Sequence, residues 1–218
     1  MWSRVAPLLR AAGHEVHTPS LTGIGERSHL ASPAVSLSTH VTDVLQCLRY
    51  ERLTGVVLVG HSYGGMVVTG AADAAPQCVS ALVYLDAFVP RAGEALVDLL
   101  PSRVRAHFPN SGGHVPPLPP QAQGMSDAQE IAWLEGRRDP QPIKTFTEPL
   151  RLEGRYNARR SYIFCTGYSP TSFAPFAERA RNDPAWHYHE LPTHHYPQIS
   201  LPRETASLLA KYAEGGSP

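Results

Sequence analysis

The sequence predicts an α/β fold with a mainly parallel sheet and flanking helices, and three observations carry that reading. Short apolar runs recur along the chain, at residues 56–59, where three of four are β-branched, and at 79–85 and 161–165. Segments with helical period separate them, and strands alternating with helices imply crossover connections and parallel pairing. The run 56–59 also leads through Gly60-His61-Ser62-Tyr63-Gly64 directly into a helical pattern at residues 66–75.

Each element has its own signal. Val5, Leu8, Leu9 and Ala12 fall on one face of a helix spanning residues 2–12, with Gly13 placed to stop it. Residues 15–18 read as a short strand closed by Pro19, and residues 21–30, with two glycines, as a loop. A second helix begins at Ser38, with Val41, Val44, Leu45 and Leu48 on one face. The run at Val56 reads as a strand buried on both faces. The strand 79–85 ends in Asp86-Ala87-Phe88-Val89-Pro90.

Composition then shifts. Between residues 91 and 160 Gly112-Gly113 is followed by Pro116, Pro117, Pro119 and Pro120, and only residues 127–134 look helical. An irregular insert between regular units is most simply a cap over a site, within a single domain covering residues 1–218. The regular pattern resumes with a strand at 161–165, a helix at 172–180, a strand at 187–191 and a final helix at 202–212. Thr205, Leu208, Leu209 and Tyr212 share one face of that helix, and residues 215–218 read as a frayed tail.

Composition narrows the function. With 19 basic and 19 acidic side chains in 218 residues, no charge imbalance points to nucleic acid or an anionic membrane. Cys47, Cys78 and Cys165 are odd in number and widely spaced, which reads as free thiols. No apolar run approaches the ~18 residues of a membrane span, and the N-terminus does not read as a signal peptide, so a cytoplasmic chain is expected. A homodimer is compatible with the sequence. Arg151, Arg155, Arg159 and Arg160 read as a solvated face, and Gly64-Gly65 lacks the lysine and spacing of a phosphate-binding loop.

The chemistry lies in Gly60-His61-Ser62-Tyr63-Gly64. Strand, sharp turn with a central serine, then helix is the nucleophile elbow, G-x-S-x-G. The turn strains the serine backbone, and side chains two residues either side would collide with the neighbouring chain, which explains the glycines. The Ser62 hydroxyl is thereby held clear of the sheet, at a helix N-terminus that favours negative charge.

With this elbow, Pro19-Ser20-Leu21-Thr22-Gly23-Ile24-Gly25-Glu26-Arg27 and Leu85-Asp86-Ala87-Phe88-Val89-Pro90, the chain resembles the α/β-hydrolase superfamily. The likeness is to its esterase and hydroxynitrile-lyase-like branch, which includes plant methyl esterases and bacterial pyrethroid-hydrolase-like enzymes. Weaker matches at Pro140-Gln141-Pro142 and residues 191–204 extend it over nearly the whole chain. It implies cleavage of small carboxylic esters by serine, histidine and aspartate, without metal or other cofactor. The resemblance makes Ser62 the nucleophile and His195, in Thr193-His194-His195-Tyr196, the base, with His194 where a small residue is usual. Imidazole suits that role because its pKa lies near neutrality. His187, His189, His194 and His195 have weak ligand spacing, and no metal site is expected.

Two departures stand out. The resemblance places the acid in the loop after the strand 161–165, yet Thr166-Gly167-Tyr168-Ser169-Pro170-Thr171-Ser172 holds no carboxylate. Asp86 is the alternative acid, its other reading being a structural carboxylate, and failing it Thr166 or Ser169 would hold the ring. The resemblance also implies a strand and His-Gly segment before the first helix, supplying one amide of the oxyanion hole, with Tyr63 supplying the other. That strand would lie between the segments at Glu15 and Val56. Either the strands close up, another segment or subunit fills the gap, or the working protein begins upstream of Met1, and the last is expected.

The function implied is a serine hydrolase acting through an acyl-enzyme on a small, largely apolar carboxylic ester or lactone. Phe88 and Trp133, with Phe146 and Phe173, are candidate wall residues. The alternatives are a lyase, cyclase or dehydratase on the same fold, or a binding protein that keeps the elbow for packing.

Overall fold

The apolar runs become strands because β-branched and aromatic residues suit a packed, pleated sheet. In the computed structural model, β1 (Val56–Ser62), β2 (Val79–Ala87), β3 (Arg159–Cys165) and β4 (Trp186–Leu191) form one parallel sheet, each strand beside its predecessor in the chain. Residues 1–105 and 113–214 are described; Gly112 and the expected tail at 215–218 lie outside them.

Alternate side chains go to opposite faces. Leu82, Tyr84 and Tyr162 enter a core shared with the helices Gly64–Ala74 and Leu37–Tyr50. Val83, Leu85, Ile163 and Leu191 meet Leu208, Leu209 and Tyr212 of the helix Pro202–Ala213, together with Val5. The helix Gly64–Ala74 is buried at every position from Gly65 to Asp73, because it lies between sheet and helix.

Several expectations need correction. The predicted first helix splits into a 3₁₀ turn Trp2–Arg4 and a helix Ala6–Ala11. Pro7 sits in the opening turn, where its missing N–H costs nothing, so it starts a helix rather than continuing one. Residues 15–18 form no strand, since among the described residues nothing pairs with them. For the same reason β1 is a sheet edge, and Val56 to Val59 are half-buried rather than enclosed. The loop 21–30 contains a 3₁₀ segment, Gly25–Leu30.

Residues 91–160 hold more regular structure than composition suggested. One-turn helices lie at Leu96–Leu99, Ser102–Arg105 and Lys144–Thr147, with a 3₁₀ turn at Pro120–Gln123. His114–Val115 pairs antiparallel with Gln141–Pro142. Such elements are too short to show a hydrophobic period. The expected helix is present as Ala128–Glu135, capped by the Asp127 carboxylate, which accepts from Glu130 N. Two carboxylates tie this stretch to the α/β layers. Glu148 accepts from Ser38 N at 2.7 Å, and Asp73 accepts from the amides of Glu153 and Arg155 at 2.6 and 2.7 Å. Among the described residues no helix is long and apolar enough to cross a membrane. The three cysteines are unpaired.

The elbow glycines behave differently from one another. A Cβ on Gly60 would lie 2.7 Å from the Gly64 backbone, as expected, but one on Gly64 would meet open space. The second crowded position is Gly65, where a Cβ would fall well inside contact of the Phe88 carbonyl oxygen. That oxygen belongs to the chain leaving β2, so the close approach fixes the helix against the end of the neighbouring strand. Gly65→Ala should therefore destabilise the fold by roughly 3 kcal/mol or more, read as a lowered urea midpoint, whereas Gly64→Ala should cost far less. Equal midpoints for the two variants would contradict this packing.

Candidate active site

Parallel strands bring their carboxyl ends to one edge of a sheet, and Ser62 ends β1 while Asp86 lies one residue from the end of β2. Ser62 has φ +56° and Asp86 φ +42°, left-handed conformations that strain a residue with a side chain. The register of β1 and β2 shifts between His61 and Ser62, so that Ser62 pairs with Ala87. His195 follows β4 by four residues and is 1% exposed.

Asp86 and His195 meet although 109 residues separate them, with Oδ2 and Nδ1 2.7 Å apart. A carboxylate can only accept, so Nδ1 carries the proton and Nε2 presents its lone pair. Asp86 is 0% exposed and accepts two further bonds, from Tyr168 Oη at 2.6 Å and Cys165 N at 3.3 Å. Tyr168 in turn accepts from Thr171 Oγ1 at 2.9 Å. Burial, and then the Asp86 charge, pushes both the Tyr168 phenol and the Cys165 thiol above their ordinary values. Among the described contacts, Ser62 Oγ and His195 Nε2 are not hydrogen-bonded. The Thr166 hydroxyl donates to Leu191 O at 3.3 Å instead of holding the ring.

His195 is enclosed by rings. Phe173 lies parallel to it at 4.8 Å and Tyr196 edge-on at 5.0 Å. Phe88 is buried behind Phe173, 4.9 Å away. Trp133 packs on the cluster containing Tyr196 and lies under the guanidinium groups of Arg4 and Arg137, at 5.2 and 4.3 Å.

Two further histidines belong to this setting and carried no readable signal as site residues. His61, the residue before Ser62, has its ring 4.4 Å from that of His195. It donates from Nε2 to the His195 carbonyl at 2.6 Å and accepts at Nδ1 from Gln198 at 3.3 Å. His40 donates from Nε2 to Thr22 O and accepts at Nδ1 from Tyr63 Oη, both at 2.8 Å. Tyr63 is thus held by its side chain, and Phe146 stacks on it at 5.9 Å. Its backbone N–H makes no hydrogen bond among the described residues. No group of three or more His, Cys, Asp or Glu suited to a metal ion occurs among the described residues.

The model of the alpha/beta hydrolase family matches residues 1–208. The chain is 40% identical over 220 residues to a carbendazim hydrolyzing esterase of Nocardioides sp., covering 94% of this chain and 90% of that protein. It is 28% identical to a pyrethroid hydrolase of Sphingobium wenxiniae, over 98% of this chain and 82% of the relative. An extracellular α/β-hydrolase from a Paenibacillus species superimposes with a TM-score of 0.83 at 21% identity, over 97% of this chain and 92% of that one.

Burial depresses the pKa of both His40 and His61, that of His61 well below the ordinary imidazole value, with the His195 ring adding to the effect. Unfolded, each takes up a proton below about pH 6.5; folded, each resists it. The unfolded state then binds more protons, so stability is full above that pH and falls as pH drops. Urea unfolding at pH 7.5 and 5.0 should show that loss, at most about 1.4 kcal/mol per pH unit for each histidine. Replacing His61 with Gln should flatten the slope; an unchanged slope would mean other groups carry it.

Proposed function

This chain belongs to the alpha/beta hydrolase family and is a hydrolase of carboxylic ester bonds, and we propose that it acts through Ser62, His195 and Asp86 on small, largely apolar esters or lactones. The observation that supports this reading most is the buried 2.7 Å contact of Asp86 with His195 Nδ1. It leaves Nε2 as the base at the sheet edge where the strained Ser62 sits.

In the first half of the reaction, Ser62 Oγ attacks the ester carbonyl as its proton passes to His195 Nε2. The carbonyl oxygen becomes an anion, steadied by the free Tyr63 N–H and by the helix start at Gly64. As the intermediate collapses, the C–O bond to the alcohol breaks and His195 returns the proton to the departing oxygen. Water, deprotonated by His195, then attacks the acyl-enzyme; the acid leaves and Ser62 recovers its proton. Asp86 fixes the tautomer, and its carboxylate offsets the imidazolium charge. Its three donors hold the carboxylate in place against the ring.

The acid thus comes from the end of β2 rather than from the loop after β3, and Tyr168 occupies that loop with a hydroxyl bound to Asp86. Phe173 backed by Phe88, and Tyr196 backed by the Trp133 cluster, make apolar walls on either side of His195. They suit an apolar acyl or alcohol group, and residues 91–160 act as the cap that completes the enclosure.

Turnover measured on small methyl, ethyl and aryl esters, carbendazim among them, tests this directly. Ser62→Ala should abolish both turnover and labelling by a fluorophosphonate. Asp86→Asn should lower kcat by roughly 10³–10⁴-fold, since the wrong His195 tautomer is then favoured. Ester cleavage that persists unchanged in Ser62→Ala would rule the proposal out.

A further inference from the structure

The loop that carries His195 is held from two sides. From the sheet side, His61 Nε2 donates to the His195 carbonyl at 2.6 Å. From the other side, residues 120–135 supply a set of contacts. The His195 amide donates to Gln123 O at 3.1 Å, and the Tyr196 hydroxyl donates to Gln123 Oε1 at 2.6 Å. The His194 ring reaches Glu130, with Nε2 and Oε2 2.9 Å apart and the two side chains 11% and 20% exposed. Gly124, at φ +84°, presses so close that a Cβ there would overlap Tyr168 and sit 3.1 Å from His194 Cβ.

The His194 contact has a direction. Tyr196 N donates to His194 Nδ1 at 3.1 Å, so Nδ1 is the acceptor and Nε2 carries the proton given to Glu130. One imidazole therefore links the backbone on the far side of His195 to a carboxylate in the first turn of the helix Ala128–Glu135. The backbone that bears this carboxylate is itself held, because Glu130 N donates to the Asp127 cap at 2.9 Å. The linked backbone flanks the residue whose ring must stay on Asp86.

We propose that Glu130 and His194 form a latch through which residues 120–135 position His195 for proton transfer, so that both are positioning residues for ester turnover. Neither touches the reacting atoms; they act through the backbone of residues 194–196. The inference rests on the serine-hydrolase reading for its effect on rate, but not for the latch itself. It separates two jobs of the insert. A cap that only encloses substrate changes KM, whereas a latch on the base changes kcat, since a displacement of about 1 Å at a reacting group costs up to 10²-fold.

The test compares Glu130→Ala, Glu130→Gln, His194→Ala and the Glu130→Ala/His194→Ala double variant in the full chain. Glu130→Ala and His194→Ala should each lower kcat by about 10-fold or more with KM within about twofold. Glu130→Gln, whose side-chain oxygen can still accept from Nε2–H, should recover most of the loss. The double variant should be no worse than the poorer single one, as expected of groups acting as a pair. Amide hydrogen exchange at residues 194–196 should quicken in Glu130→Ala and not in Glu130→Gln. An unchanged kcat, or a loss confined to KM, would overturn the proposal while leaving the hydrolase reading intact. If the unsubstituted protein shows no Ser62-dependent turnover, exchange decides: faster exchange in Glu130→Ala supports the latch, and unchanged exchange refutes it.

Discussion

The constraint on which the rest depends is the carboxylate of Asp86, wholly buried at the end of a central strand. An ion taken out of water costs several kcal/mol unless donors surround it. Here the donors are an imidazole, a phenol and a backbone amide, drawn from two separate stretches of chain, residues 165–168 and His195. Satisfying that one group ties β2 to the end of β3, to the loop after it and to the loop after β4. The left-handed backbone at Asp86 and the register shift beside it mark where the strand bends to present the carboxylate.

Around that anion the histidines sort themselves by neighbour. His40 and His61 each face a carbonyl oxygen with Nε2, and His195 faces the carboxylate with Nδ1. Each ring is left with one tautomer and a lone pair in a defined direction. Desolvation favours neutral His61, so in the proposed mechanism the ring adjacent to His195 does not add a second positive charge. The same His61 holds the backbone of the residue it lies against, making elbow and base one mechanical unit.

Much of the architecture was legible because it depends on period. The four strands and the helices Leu37–Tyr50, Gly64–Ala74, Ala174–Asn182 and Pro202–Ala213 lie within a few residues of where apolar spacing places them. Ser62, Asp86 and His195 could be named from motif and chain position, and the fold sets Ser62 and Asp86 at one sheet edge with Asp86 against His195. What could not be read were contacts between residues remote in sequence. Tyr168 sits in a loop noted only for lacking a carboxylate, and nothing local shows that its hydroxyl reaches Asp86. His40 looks like any residue on an amphipathic helix until Tyr63 is folded against it. The spacing rule singled out Gly64 where the crowded position is Gly65, because crowding depends on where the chain leaves β2. The short strand expected at 15–18 failed for want of a partner, since extended backbone becomes sheet only when another strand pairs with it.

The single long excursion of the chain, from the end of β2 at Ala87 to the start of β3 at Arg159, has an evolutionary side. Its two ends are pinned by adjacent strands, and the entropy of closing a loop rises by only ~0.6 kcal/mol for each doubling of length. Changes of length there leave the pairing of the four parallel strands untouched. Under the proposed function the stretch that meets the variable end of a substrate is thus one where added length costs little stability. The contacts of residues 120–135 with the His195 loop mark the portion least free to change.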